Sequence, residues 1–161
     1  MRHAFPHLAL LAGCLMLVPP VAANDGGADP RTATTAPAAT VDRVYRRAMV
    51  EVKAGRYAAA IPLLVDVVGN DSRNADAFNN LGYSHRKLGQ RDKALIYYAE
   101  ALRLDPSHLG ALEYQGELFL ELGDPVRAEA NLDRLGRLCG RCENYRDLAE
   151  AIVAHKAKPR T

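Results

Sequence analysis

Several residue types that often mark function are scarce in this sequence. Its 161 residues include no Trp, three Met and three Cys, and aromatic residues make up only 6%. This scarcity argues against an aromatic platform for stacking nucleobases. The formal net charge is +2, with both signs mixed along the chain, so no basic stripe and no acidic tail indicates a nucleic-acid partner. The remaining composition, 48% hydrophobic and 25% charged, is typical of one globular domain.

Residues 1–23 are typical of a secretory signal peptide. Arg2 supplies the positive charge, residues 8–18 form an apolar core, and Val21-Ala22-Ala23 resembles a cleavage site. The apolar run is too short for a membrane-spanning helix. The alternative is a buried first helix, which Pro19-Pro20 and the polar stretch after it disfavour.

Leu11-Ala12-Gly13-Cys14 also resembles a bacterial lipobox, in which Cys14 would carry a lipid anchor. Against it, cleavage there would leave apolar residues at the new N-terminus. Both routes imply export from the cytoplasm. Residues 24–40 contain mainly Ala, Thr, Pro, Gly and Asp, which predicts a disordered tether because no large apolar side chain is available for burial.

A repeat of 34 residues organises the chain from residue 41 onward. The equivalent glycines and alanines, spaced by 34 residues, are Gly55, Gly89 and Gly123, and Ala60, Ala94 and Ala128. On either side of Gly89, apolar residues at i, i+3, i+4 and i+7 predict two amphipathic helices joined by a tight turn. One such hairpin cannot bury its apolar stripes alone, so the repeat predicts stacked copies.

The second copy, residues 75–108, resembles a tetratricopeptide repeat. The residues that carry the resemblance are Phe78, Leu81-Gly82, Ala94, Tyr98, Ala101 and Pro106. The copies at residues 41–74 and 109–142 follow the pattern less closely, with Ser72 and Gly140 in place of the proline. The resemblance implies an all-α, right-handed α-solenoid of three helix-turn-helix repeats plus a C-terminal capping helix.

Local signals predict several helix limits. The first helix is expected over residues 41–54, and Pro62 should bend the second helix because it removes one backbone hydrogen bond. Asp124 followed by Pro125 is typical of a helix start. The expected domain spans residues 41–156, with a disordered tail over 157–161.

The capping helix is predicted over residues 143–156. Its expected apolar face comprises Tyr145, Leu148, Ala149, Ile152 and Val153. Asn144 is the predicted N-cap of this helix, with Asp147 as its capping-box partner.

The resemblance also implies a binding groove on the first helix of each repeat. The expected groove residues are Tyr45, Met49, Asn79, Tyr83, Arg86, Lys87, Glu113 and Glu117. We expect Tyr83 and Arg86 to face solvent at its centre and a polypeptide with apolar and basic residues to bind there. The alternative is an ordinary solvated helix face. Of the positions with which some family members clamp a peptide carboxylate, only Asn80 matches.

Cys139 and Cys142, in the motif Cys-Gly-Arg-Cys, are the two cysteines outside the predicted signal segment. In an oxidising compartment such a pair predicts a disulfide that staples the last repeat to the capping helix. The alternative is a redox-active dithiol, which the helical context disfavours. No metal-ligand spacing or nucleotide-binding loop is present, and His85 is expected to be a packed core or rim residue.

These features predict a non-enzymatic scaffold or adaptor, exported to a bacterial periplasm, that binds a protein or peptide without a cofactor. Two alternatives remain open: a lipid-anchored assembly factor for envelope or pilus machinery, and a periplasmic dithiol oxidoreductase that uses Cys139 and Cys142.

Overall fold

The computed structural model of the protein describes residues 37–158. Over that range the chain forms seven α-helices and no β-strand. The helices are α1 Ala38–Lys53, α2 Tyr57–Asn70, α3 Ala75–Lys87, α4 Arg91–Leu104, α5 Leu109–Glu121, α6 Pro125–Cys139 and α7 Glu143–Lys156. The predicted signal peptide, the lipobox cysteine Cys14, most of the predicted tether and the last three residues lie outside the described residues.

Three hairpins and a final helix build the predicted all-α solenoid. Helices α1 and α2, α3 and α4, and α5 and α6 pack as pairs, and each pair contacts the next. Gly55, Gly89 and Gly123 join the two helices of each pair at φ of 71°, 74° and 76°. This left-handed backbone region suits glycine because it has no Cβ, which explains why glycine recurs every 34 residues.

Close contacts between helices explain the small residues at the second repeated position. A Cβ added to Gly82 of α3 would lie 2.6 Å from Cδ1 of Tyr98, which is fully buried in α4. A Cβ added to Gly116 of α5 would lie 2.6 Å from Cδ2 of Leu148 in α7. Tyr98 and Leu148 therefore pack directly on helix backbone at these two places.

The described core has two main clusters and a bridge between them. The first joins α1, α2 and α3, and the second joins α5, α6 and α7. Ala94, Tyr98 and Leu118 form the bridge, with Tyr83 and Tyr114 packed against it. The middle repeat thus connects both halves of the domain.

Helix α7 covers the last repeat, as the sequence predicts, by packing on α5 and α6. Leu148 and Ile152 are buried, but Val153 is 67% exposed, so its assignment to the apolar face was wrong. The assignment of Asn144 as N-cap was also wrong. The helix begins after Cys142 without a side-chain cap, and the Asn144 amide instead donates to Glu113 Oε2 at 2.6 Å.

Other predicted helix limits are close to those observed. Helix α1 begins at Ala38, three residues earlier than expected, because the carbonyl of Pro37 accepts from the backbone N–H of Thr40 and Val41. Helix α2 continues through Pro62 without interruption. The predicted start at Asp124 is confirmed, since its side chain accepts from the backbone N–H of Arg127 at 3.1 Å.

Candidate functional site

The first helices of successive repeats, together with α7, form one continuous face. Helix α1 contacts α3, α3 contacts α5, and α5 contacts α7. All the predicted groove residues belong to these helices. The structure therefore orders them from an aromatic first repeat to an acidic third repeat, but it buries several of them more deeply than the sequence suggested.

A row of tyrosines runs along the centre of this face. The Tyr83 ring lies 5.8 Å from that of Tyr57 and 5.0 Å from that of Tyr114, measured between ring centroids. The ammonium of Lys87 lies 5.2 Å from the Tyr83 centroid, within range of a cation–π interaction. Burial and the neighbouring Tyr57 hydroxyl raise the pKa of Tyr83 to about 12. Tyr83 is thus half-buried among other rings rather than facing solvent freely.

The sequence missed Tyr57, which belongs to the second helix of its repeat. Its position at the first residue of α2 brings it beside the groove. Only the contact between repeats reveals this placement. No spacing within one helix could have indicated it.

Arg86 is an inter-helix clamp rather than a free donor, which corrects the expectation that it faces solvent. Its side chain is 11% exposed and forms ion pairs with Glu117 and, at 2.8 Å, with Glu121 of α5. Burial opposes its charge, but the two glutamates outweigh that effect and raise the pKa of Arg86. Glu121 also pairs with Arg91 at 3.2 Å, so α3, α4 and α5 are tied together here.

Asn79 and Glu113, predicted to face the ligand, are each only 6% exposed. They occupy the same position in successive repeats, and the next helix covers each of them. Burial is the main cause that raises the pKa of Glu113 to about 7; the hydrogen bond from Asn144 opposes the shift, and Glu117, Asp147 and Glu143 add to it. Glu113 therefore belongs to the interface between α5 and α7.

The first repeat contributes Tyr45 and Met49, which are partly buried against the N-terminal core. The Tyr45 hydroxyl accepts from the Asn80 amide at 3.1 Å, and the same amide donates to the Asp76 carbonyl at 2.8 Å. Burial is the main cause that raises the pKa of Tyr45 to about 12. Asn80 is thus already engaged within the protein, unlike a free carboxylate ligand.

A recess of about 270 Å³ opens between the C-terminal halves of α3, α5 and α7. Leu120, Ala151 and Ala154 supply its apolar lining, and the polar residues around it are Arg86, Glu117, Glu121, His155 and Lys158. Its volume is below that of most small-molecule pockets, which start near ~300 Å³. A recess of this size fits one or two side chains of a bound peptide.

Cys139 ends α6 and Cys142 immediately precedes α7. Their Sγ atoms lie 2.10 Å apart and their Cα atoms 5.7 Å apart, a Cα separation that a disulfide can span. Across residues 37–158, no group of three or more His, Cys, Asp or Glu could hold a metal ion. His85 is buried, as predicted, with Nδ1 2.6 Å from Gln90 Oε1 and its ring stacked on Tyr97.

The chain belongs to the tetratricopeptide repeat family, because the family profile matches residues 45–108 and 81–138. No curated protein sequence matches it. In the part that the structure describes, no helix combines the length and hydropathy needed to cross a membrane.

Solved structures with the same fold share 14 to 20% of their sequence with this chain. The type III secretion chaperone SycD of Yersinia enterocolitica, in complex with a peptide of the translocator YopD, has a TM-score of 0.65 at 20% identity, covering 74% of this chain and 91% of its own. The first repeat domain of Spaghetti (RPAP3), bound to the HSP90 peptide SRMEEVD, has 0.68 at 17%, covering 78% and 99%. The corresponding domain of Arabidopsis OM64 has 0.66 at 14%, covering 71% and 95%.

Proposed function

We propose that this chain is a non-enzymatic scaffold or adaptor that holds a polypeptide partner in the groove lined by α1, α3, α5 and α7. The observation that carries the proposal is the row Tyr57, Tyr83 and Tyr114, which leads toward an open recess between α5 and α7. Tyrosine is enriched at binding hot spots because its large ring is rigid and carries a polar end.

The inter-helix contacts make this face suitable for recognition. The Arg86 ion pairs and the packed tyrosines hold the three helices in one arrangement before any ligand arrives. A preorganised surface loses little conformational entropy on binding. SycD and RPAP3, which have the same fold, were solved with bound peptides, and this supports a peptide as the ligand class.

The charges around the recess suggest the chemistry of the ligand. Leu120, Ala151 and Ala154 favour an apolar side chain in the recess itself. Glu121 on one side is exposed and, with Asp147 nearby on α7, favours a basic residue next to that anchor. The proposed ligand is therefore a peptide with an apolar anchor followed by lysine or arginine.

A display library of random peptides, selected on the purified chain, tests this proposal. Ala154→Trp fills the recess, and Ala130→Trp places the same side chain at an exposed position on α6 as the matched control. Selected peptides should bind Ala154→Trp at least about tenfold more weakly and Ala130→Trp unchanged, because the anchor cannot enter a filled recess. Equal binding to both variants, or no enriched peptide, would contradict the proposed groove.

Export to a periplasm is the second part of the proposal and rests on the signal-like residues 1–23. The intact mass of the protein recovered from its host tests it. A chain that starts at Asn24 supports soluble export, whereas diacylglyceryl on Cys14 supports the lipid-anchored assembly factor. A chain that retains Met1 would contradict export.

The proximity of Cys139 and Cys142 supports a disulfide in the exported protein and leaves the oxidoreductase as the alternative. In the proposed structural role, alkylation without reductant labels neither thiol. The chain should then fail to catalyse insulin reduction. Turnover in that assay would favour the dithiol enzyme instead.

A further inference from the structure

The two ends of the solenoid each leave one helix face uncovered. Helix α1 packs on α2 and α3, and helix α7 packs on α5 and α6. No other helix among residues 37–158 covers the opposite side of either one. In the middle of the solenoid, by contrast, each repeat has a neighbour on both sides.

The uncovered side of α1 is basic. Its exposed residues, at i, i+3, i+4 and i+7 on one helix face, are Arg43, Arg46, Arg47 and Val50. Val50 is 59% exposed. Arg43 and Arg46 form no hydrogen bond or ion pair with any described residue, whereas Arg47 lies near Glu51. The pKa of Glu51 is lowered by its hydrogen bond from Arg56 and also by the charge of Arg47. We call this surface the basic end face.

The uncovered side of α7 is acidic. Its exposed acids, at i, i+4 and i+7 on one helix face, are Glu143, Asp147 and Glu150. Val153, on the same side of the helix, is 67% exposed. Arg146 is the basic residue there, and its guanidinium lies 3.4 Å from the Arg141 carbonyl. We call this surface the acidic end face.

We propose that the basic end face of one copy docks on the acidic end face of a second copy, so that the chain associates head to tail. Three arginines on the first face would meet three carboxylates on the second. Val50 and Val153 would each lose exposed apolar surface. Opposite charges across such a contact steer association and fix its register.

The charge complementarity favours a second copy over an anionic lipid or a nucleic acid. Either anionic surface would account for the arginines of α1 but would leave the acids of α7 unexplained. One contact between copies explains both faces. Because the two faces differ, the contact is heterologous, and its repetition yields a ring or an open filament. The association is independent of the groove function, since it uses the outer sides of the two terminal helices.

Charge exchange tests the pairing directly. The first variant carries Arg43→Glu and Arg46→Glu, and the second carries Glu143→Lys and Glu150→Lys. The control, Arg73→Glu with Arg137→Glu, changes the net charge as the first variant does but uses exposed residues away from both end faces. Sedimentation equilibrium of the full chain, as its host processes it, gives the association constant at low salt and at about 0.5 M salt, where screening is strong.

The wild type and the control should associate at low salt and weaken as salt rises. Each end-face variant alone should associate at least about tenfold more weakly, and an equimolar mixture of the two should recover association because one carries two acidic ends and the other two basic ends. Far-ultraviolet circular dichroism checks that each variant is folded. A wild type that stays monomeric at low salt would overturn the proposal. So would a mixture that does not recover, or a loss seen only with the arginine variant.

Discussion

Replacing Glu113 by Gln should stabilise the protein at neutral pH and have little effect in acid. The carboxyl group is 6% exposed between α5 and α7, and its pKa is raised from 4.5 to about 7. Gln is similar in size and can still accept the hydrogen bond that the Asn144 amide donates at 2.6 Å. The substitution therefore removes the ionisation while keeping the contact.

The raised pKa sets the sign and the size of the effect. The folded state binds the Glu113 proton more tightly than the unfolded state, so its stabilising contribution is complete below the unfolded value of 4.5. That contribution is lost as pH rises through about 7. The shift corresponds to at most about 3 kcal/mol of unfolding free energy, at 1.36 kcal/mol per pKa unit. The Gln variant should therefore exceed the wild type by up to about 3 kcal/mol near pH 8 and match it near pH 4.

Urea unfolding followed by circular dichroism, at a series of pH values between about 4 and 8, measures this difference. Asp133→Asn serves as the control because Asp133 is exposed on α6 and forms no hydrogen bond with any described residue. The control should show no comparable rise with pH. A Gln variant that is less stable than the wild type at pH 8 would refute the reasoning, since the Asn144 bond would then hold Glu113 ionised.

Three further predictions concern stability. Arg86→Glu should destabilise the fold by about 3 kcal/mol or more in urea unfolding, because it places a third carboxylate beside the two glutamates of α5; unchanged stability would mean that the clamp is dispensable. Gly82→Ala should lower the thermal midpoint, since its Cβ would lie 2.6 Å from the rigid Tyr98 ring and the strain of about 1–3 kcal/mol exceeds the gain in helix propensity; a raised midpoint would contradict this. Reducing Cys139 and Cys142 should cost about 2 kcal/mol or less because the closed loop is short, and a larger loss on reduction would indicate that the staple holds α7 in place.

The repeat pattern predicted the architecture because it depends on local requirements. Gly89 and its equivalents occupy a backbone region that suits glycine, so their 34-residue spacing directly marks the turns between paired helices. Asp124 caps its helix through contacts within a few residues. Such features need no knowledge of distant parts of the chain.

The depth of the groove residues depended on contacts between helices. Helical spacing places Arg86 and Glu113 on the groove side of their helices, but it cannot show how far the next helix covers them. The structure buries Arg86 against α5 and Glu113 against α7, which changes both from free ligand contacts into links between helices. Asn144 likewise could cap its own helix or bond across to Glu113. The sequence by itself determined the repeats and the helix faces, and only tertiary packing decided which polar groups remain free, because that depends on the approach of neighbouring helices.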